Sequence, residues 1–245
     1  YEPALVINQR YLGDYPALPE TLIGIRSAKG TGKTESLKRL VGQAPRVLLI
    51  GHRVALLRNL AERLGLWLYS AEGVHIERVS KLAITLDSLY KLNTIGNRYD
   101  LVIIDEVEQA LEHLAASDTC KAFRDKVLAV FEYFIRSGTR VVVADADLSD
   151  VALDYLSTIR NHGVALDAAP PSTHLEQPFV LVNEYQNGGR TIRWFEGIDA
   201  SALIAELKEQ IALGDRPYIF TDSKHEAKRL YLQLSEAFPE KQMGK

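Results

Sequence analysis

The sequence predicts an α/β fold in which a mostly parallel β-sheet carries helices on both faces. Three observations predict it. Short apolar runs alternate with stretches of helical period along most of the chain. The runs VLLI (47–50), LVIID (101–105) and VVVAD (141–145) show no polar alternation, as expected of strands covered on both sides. A glycine-rich turn also joins one of these strands directly to a helical stretch.

In order, strands are expected at Leu22 to Ser27, Arg46 to Gly51, Leu82 to Thr85, Tyr99 to Glu106 and Thr139 to Asp145. Helical spacing fills the intervals at Lys33 to Gly42, Val54 to Leu64, Glu108 to Ala116, Lys121 to Arg136 and Asp150 to Arg160. The rhythm lapses from Asn161 to about Gln177, around Pro170-Pro171, which reads as a connector. It resumes with strands at Phe179 to Glu184 and Arg190 to Glu196, a helix from Ser201 to Leu213, a strand at Arg216 to Thr221 and a helix from Lys224. That last helix opens with a capping box, Ser223 as N-cap and Glu226 three positions on.

Bulk properties narrow the classes. With 47% hydrophobic and 25% charged residues the composition is that of a globular protein. A net charge of −3 excludes a globally basic nucleic-acid coat, but not a motor that holds a backbone through a few local donors. No apolar run is long enough to span a membrane, so no membrane partner is expected and a cytoplasmic location is the default. One cysteine, Cys120, excludes an internal disulfide and predicts no metal cluster. The chain starts at Tyr1 and its only methionine is Met243, so it is expected to be part of something longer.

The strongest local signal is Ser27-Ala28-Lys29-Gly30-Thr31-Gly32-Lys33-Thr34, between an expected strand and an expected helix. Gly30 and Gly32 let successive N–H groups turn toward phosphates. Lys33 would reach the terminal phosphates of ATP, and the Thr34 hydroxyl would ligate Mg²⁺. Ser27 stands where the general pattern has its first glycine.

A second site ends the strand at 99–106, where Asp105 and Glu106 lie at the carboxyl edge of the sheet. Asp105 would hold Mg²⁺; Glu106 would orient and deprotonate the attacking water. Glu108 and Gln109 either join this site or simply start the next helix.

With these two motifs the chain resembles helicase superfamily 2, which implies a RecA-like fold and ATP-driven movement on nucleic acid. Gly51-His52-Arg53 through Arg58 resembles motif Ia, and Ala83 through Leu89, with Thr85, Asp87 and Ser88, resembles motif Ib. The resemblance implies phosphate-backbone contacts from Arg53, Thr85 and Ser88. Ala144 through Ser149, with Asp145 and Asp147, occupies the place of motif III, which couples the two sites, though it departs from the common Ser-Ala-Thr form. Tyr218 through Lys224 resembles motif IV, which adds Ser223 and Lys224 as nucleic-acid contacts. In narrower detail the phosphate loop, the acidic pair and the intervening Gly-His-Arg are similar to the helicase part of replication origin-binding proteins, both the herpesvirus type and the cyanobacterial plasmid proteins that join a primase to a helicase.

The resemblance thus implies a RecA-like ATP-binding domain at 1–172, a linker at 173–188 and a partial second RecA-like domain at 189–245. ATP and Mg²⁺ are the implied cofactors; single-stranded DNA and other replication proteins or flanking domains are the implied partners. Motifs V and VI are not found, and VI normally brings the arginine of the transition state, so this chain alone is expected to bind nucleotide but hydrolyse it weakly. Other readings stay open: a P-loop kinase or single-domain ATPase, or a docking module with a structural loop. Arg53, Arg58 and Arg63 could be a solvated helix face, and Thr85 and Ser88 ordinary strand-end and cap residues. Asn8 to Tyr11 could contact the base or form a surface strand. His113, His162 and His174 are expected at the surface, and Trp67 and Trp194 in the core.

Overall fold

Unbroken apolar runs place large side chains on both sides of every strand, so the sheet must be covered twice. A computed structural model describes residues 1–13, 21–73, 75–162, 177–186, 199–219, 221 and 223–240. Eight strands form one sheet: β1 (Leu5–Ile7), β2 (Leu22–Ser27), β3 (Val47–Gly51), β4 (Trp67–Leu68), β5 (Lys81–Thr85), β6 (Leu101–Asp105), β7 (Arg140–Asp145) and β8 (Phe179–Asn183). Their order is β1-β8-β2-β7-β6-β3-β5-β4, and every pairing is parallel.

Alternate residues feed two hydrophobic layers. Leu48, Ile50, Val102, Ile104, Val141 and Val143 pack with α3 (Val107–Ala116), α4 (Arg124–Ser137) and α5 (Asp150–His162). Val47, Leu49, Leu101, Ile103, Val142 and Ala144 pack with α1 (Lys33–Gln43) and α2 (Val54–Leu64). Most of these strand residues are fully buried. At about 25 cal/mol per Å² of apolar area removed from water, these layers are the main stabilising term of the fold.

The register decides which side chains meet at the carboxyl edge. Arg26 pairs with Asp145 and Ala144 with Asp105, which brings the ends of β2, β7 and β6 level. The loops that follow these three strands therefore share one rim.

Some expectations are modified. The strand at 179–183, within the stretch expected as linker, lies between β1 and β2, and the first compact unit extends over Tyr1–Gly188. Its apolar FVLV run carries the same signature as the other covered strands. Trp67 is 60% exposed, not core, because the two-residue β4 pairs only with β5 and turns Leu68 inward instead. The helix expected from Lys121 starts as a single 3₁₀ turn at Lys121–Phe123 before α4 begins.

A second unit, Gly189–Lys245, holds α6 (Ser201–Ala212) and α7 (Lys224–Ala237), with Ile211, Leu230 and Leu234 buried. The strand expected at Arg190 to Glu196, Trp194 with it, lies outside the described residues, as do His174 and the side chain of His162. Residues 216–219 and 221, expected as a strand, carry no strand pairing. Among the described residues, no helix is long and apolar enough to cross a membrane.

Candidate functional site

The phosphate-loop sequence leaves β2 at Ser27 and enters α1 at Lys33. Gly30 and Gly32 both adopt φ +79°, a left-handed conformation that costs a glycine little. Gly32 is the N-cap of α1 and no side chain caps that helix, so its first N–H groups point into the rim. Ser27 and Thr31 are each 1% exposed, with their hydroxyls 2.6 Å apart, and Thr31 also donates to the Ala28 carbonyl at 2.8 Å. Ser27 therefore braces the loop from within. Lys33 Nζ lies on the loop, donating to the carbonyls of Ser27 at 2.7 Å and Ala28 at 3.2 Å. Lys29 and Thr34 line the same pocket.

Asp105 ends β6, and Glu106 follows at φ 53°, the only non-glycine residue with positive φ among those described. Such a conformation costs about 1–3 kcal/mol and clusters at functional sites. Glu106 is also the N-cap of α3, so the turn aims consecutive carboxylates from one strand end. Burial, with Glu106 and Asp145 adding to it against the pull of Lys33, raises the Asp105 carboxyl to about 6. Burial likewise lowers the Lys33 amine, against the attraction of Asp105, Asp145 and Glu106. Desolvation thus outweighs their mutual attraction. An anion at the helix start and a cation at the carboxylates would relieve both groups, which is the donor set a nucleotide and a divalent ion require.

A third strand end completes the rim. Asp145, 6% exposed at the end of β7, accepts the Glu108 N–H at 3.0 Å and the Asp147 N–H at 3.1 Å. Glu108 in turn accepts the Ser149 N–H at 2.7 Å. Glu108, left ambiguous by the sequence, thereby ties the start of α3 to the loop after β7. One pocket of about 710 Å³ is lined by Lys29, Gly30, Gly32, Lys33, Thr34, Asp105, Glu106, Asp145 and Asp147, whereas Ser27, Ala28 and Thr31 do not line it. Gln109, Tyr11 and Arg63 line it too. Tyr11 lies against Gly32, and the Leu12 N–H donates to the Thr31 carbonyl at 2.9 Å. Arg63 pairs with Glu35 at 2.9 Å. No spacing in the sequence marked Arg63 for this pocket.

The residues expected to touch nucleic acid are not gathered in this way. Arg53, the N-cap of α2, is exposed. Thr85 and Ser88 are only 2% and 7% exposed, since the segment after β5 packs against the core. In the second unit Lys224 is exposed, and Ser223 Oγ accepts the Glu226 N–H at 3.2 Å as the N-cap of α7. The capping box is only half made, because the Glu226 carboxylate turns to Arg229.

Against known proteins, the family described as "Origin of replication binding protein" matches residues 19–165. An uncharacterised protein of Picosynechococcus is 31% identical over 97% of this chain and 25% of its own length. A protein of African swine fever virus, named for a helicase/primase complex, is 23% identical over 98% of this chain and 22% of its own. The chain therefore spans about a quarter of the length of these relatives. Among solved structures, yeast Dbp5 bound to RNA and ADP BeF3 superposes with a TM-score of 0.55 at 16% identity, over 89% of this chain and 57% of that one. That likeness shows the fold, a RecA-like α/β domain.

Proposed function

The chain belongs to the origin of replication binding protein family, helicase-like proteins of replication, and on that premise we propose that it binds ATP with Mg²⁺ and couples hydrolysis to movement on single-stranded DNA. The observation that carries this reading is the convergence in one pocket of a bare helix start, a lysine and three strand-end carboxylates. The N–H groups from Gly30 to Thr34 receive the phosphates, and Lys33 leaves the loop carbonyls for the terminal ones. Thr34 and Asp105 hold the Mg²⁺, which when bound supplies positive charge against that building on the phosphates. Glu106 orients the attacking water and accepts its proton. Asp145 and Asp147, linked through Glu108 to the start of α3, carry the state of the pocket into the loop after β7.

Nucleic acid is held through its phosphates by Arg53 and Lys224, with Thr85, Ser88 and Ser223 shaping the segments beside them. Other replication proteins or flanking domains complete the motor. Titration calorimetry with ATP, with and without Mg²⁺, tests the pocket. Lys33→Ala should weaken ATP binding about 10- to 100-fold, the loss of a charge-assisted hydrogen bond. Equal affinity in the two proteins would overturn the assignment.

A further inference from the structure

Apart from the nucleotide pocket, three side chains with metal-ligating atoms meet where the sequence showed no pattern. Asp87 comes from the 3₁₀ turn after β5, His113 from the last turn of α3 and Cys120 from the loop before α4. Their ligating atoms all lie within 4.8 Å of one another. Cys120 Sγ is 2.8 Å from Asp87 Oδ1, and His113 Nε2 is 3.1 Å from the same oxygen. None of the three lines the 710 Å³ pocket.

We propose that Asp87, His113 and Cys120 form a binding site for a thiophilic divalent cation of the zinc class. The mixture of one sulfur, one imidazole nitrogen and one carboxylate oxygen suits a tetrahedral borderline-soft ion and not Mg²⁺ or Ca²⁺. One carboxylate and one thiolate balance a dication, so the occupied site is neutral. The C-terminal end of α3 adds partial negative charge beside His113.

The Cys120 thiol, His113 and the Thr119 hydroxyl at 2.9 Å all crowd Asp87 Oδ1. A cation takes the place of the thiol proton, which leaves to solvent, and Asp87 exchanges donors for the metal. The Cys120 side is sealed at 1% exposure, while the side chains of Asp87 and His113 are 33% and 21% exposed and give an entry path. A fourth ligand is water or His52. The His52 ring centroid is 6.1 Å from that of His113, and its Nε2 is buried without a hydrogen-bond partner among the described residues. An occupied site would fasten the segment after β5 to the far end of the helix that starts at Glu106.

Cobalt titration of the metal-stripped chain tests this. One equivalent should produce visible tetrahedral d–d bands and a near-ultraviolet thiolate charge-transfer band, which oxygen-only ligation in the nucleotide pocket cannot give. Cys120→Ser should abolish the charge-transfer band and weaken zinc more than about a hundredfold, beyond the loss caused by removing an outer-shell partner. His113→Gln, a second route should the serine variant fail to fold, should lose the rise in melting temperature that zinc gives the wild type. Absence of the charge-transfer band from the wild type, or zinc affinity unchanged in His113→Gln, overturns the proposal.

Discussion

Two aspartates at the same edge of the sheet are driven in opposite directions. Asp105, at the end of β6, is raised to about 6 by burial, with the Glu106 and Asp145 carboxylates adding to it and Lys33 and the Glu106 backbone N–H opposing them. Asp87, just past β5, is also raised by burial, yet donors from Cys120, His113 and Thr119 bring it below its ordinary value. The residue type and the rim are shared; the neighbours differ. Where the chain surrounds an acid with donors, its charge is already met by a joint within the fold, which a cation enters only by displacing those donors. Where it surrounds one with further acids it has left a charge to be met from outside, as a ligand site requires.

The largest effect expected on this contrast comes from the acid beside Asp105. In a longer chain that carries motifs V and VI, Glu106→Gln should keep ATP binding and reduce phosphate release about 10²- to 10⁴-fold, the range for loss of a general base. Release at the wild-type rate would place the water-activating group elsewhere.

Asp105→Asn should separate folding from ligand binding. The gap between 3.8 and about 6 corresponds to up to about 3 kcal/mol. Because the folded carboxyl is raised, its stabilising contribution is full below pH 3.8 and lost as pH rises through about 6. Without ligand at neutral pH, the asparagine variant should therefore melt higher than wild type and show a flatter profile between pH 4 and 6, while losing Mg²⁺-dependent nucleotide binding. A lower melting temperature would mean that Asp105 already has its partner in Lys33.

Asp87→Asn should act in the opposite sense and destabilise by about 1–2 kcal/mol, read as a lower urea midpoint, because charge-assisted hydrogen bonds to a carboxylate become bonds to a neutral amide oxygen. The lowered Asp87 carboxyl contributes stability above pH 3.8 that is lost as pH falls further, and the variant should lack that acid-side loss. A midpoint equal to wild type would show the joint to be incidental.

The smallest effect asks whether the edge beside Asp87 faces nucleic acid. β3 and β5 pair, so Arg53 and the 85–88 segment leave adjacent strands. Arg53→Ala should weaken single-stranded DNA binding uniformly across sequences and flatten the salt dependence by about one unit, measured by fluorescence anisotropy. Binding indifferent to Arg53 would remove it from the path.

What could be read in advance follows the physics of each element. β2, β3, β5, β6 and β7 are covered on both sides, and such burial leaves short, mostly apolar runs without polar alternation. β1 and β4, with three and two residues, are too short to leave a period. The glycine-rich turn and the acidic pair each stand out as a run of adjacent residues, and the structure brings Lys33, Asp105 and Glu106 to one pocket. Glu108 joining Ser149, Arg63 reaching the pocket and Cys120 meeting Asp87 depend on tertiary register alone. Thr85 and Ser88 are polar types at a motif position whose burial, set by the packing after β5, no local pattern announces.

The pairing of β1 with β8 also has a consequence for synthesis. Leu5 lies opposite Leu181, so the strand of this sheet that is made first belongs beside the one made last. At about 5–20 residues per second, β1 waits on the order of ten to thirty seconds for its neighbour. Until β8 arrives, the edge of β2 that it will cover is open, and Ile23 and Ile25 lie in a backbone stretch on which a strand of another chain can pair. A ribosome-arrested chain ending before residue 179 should leave Leu5–Ile7 open to protease, and one carrying β8 beyond the exit tunnel should protect it.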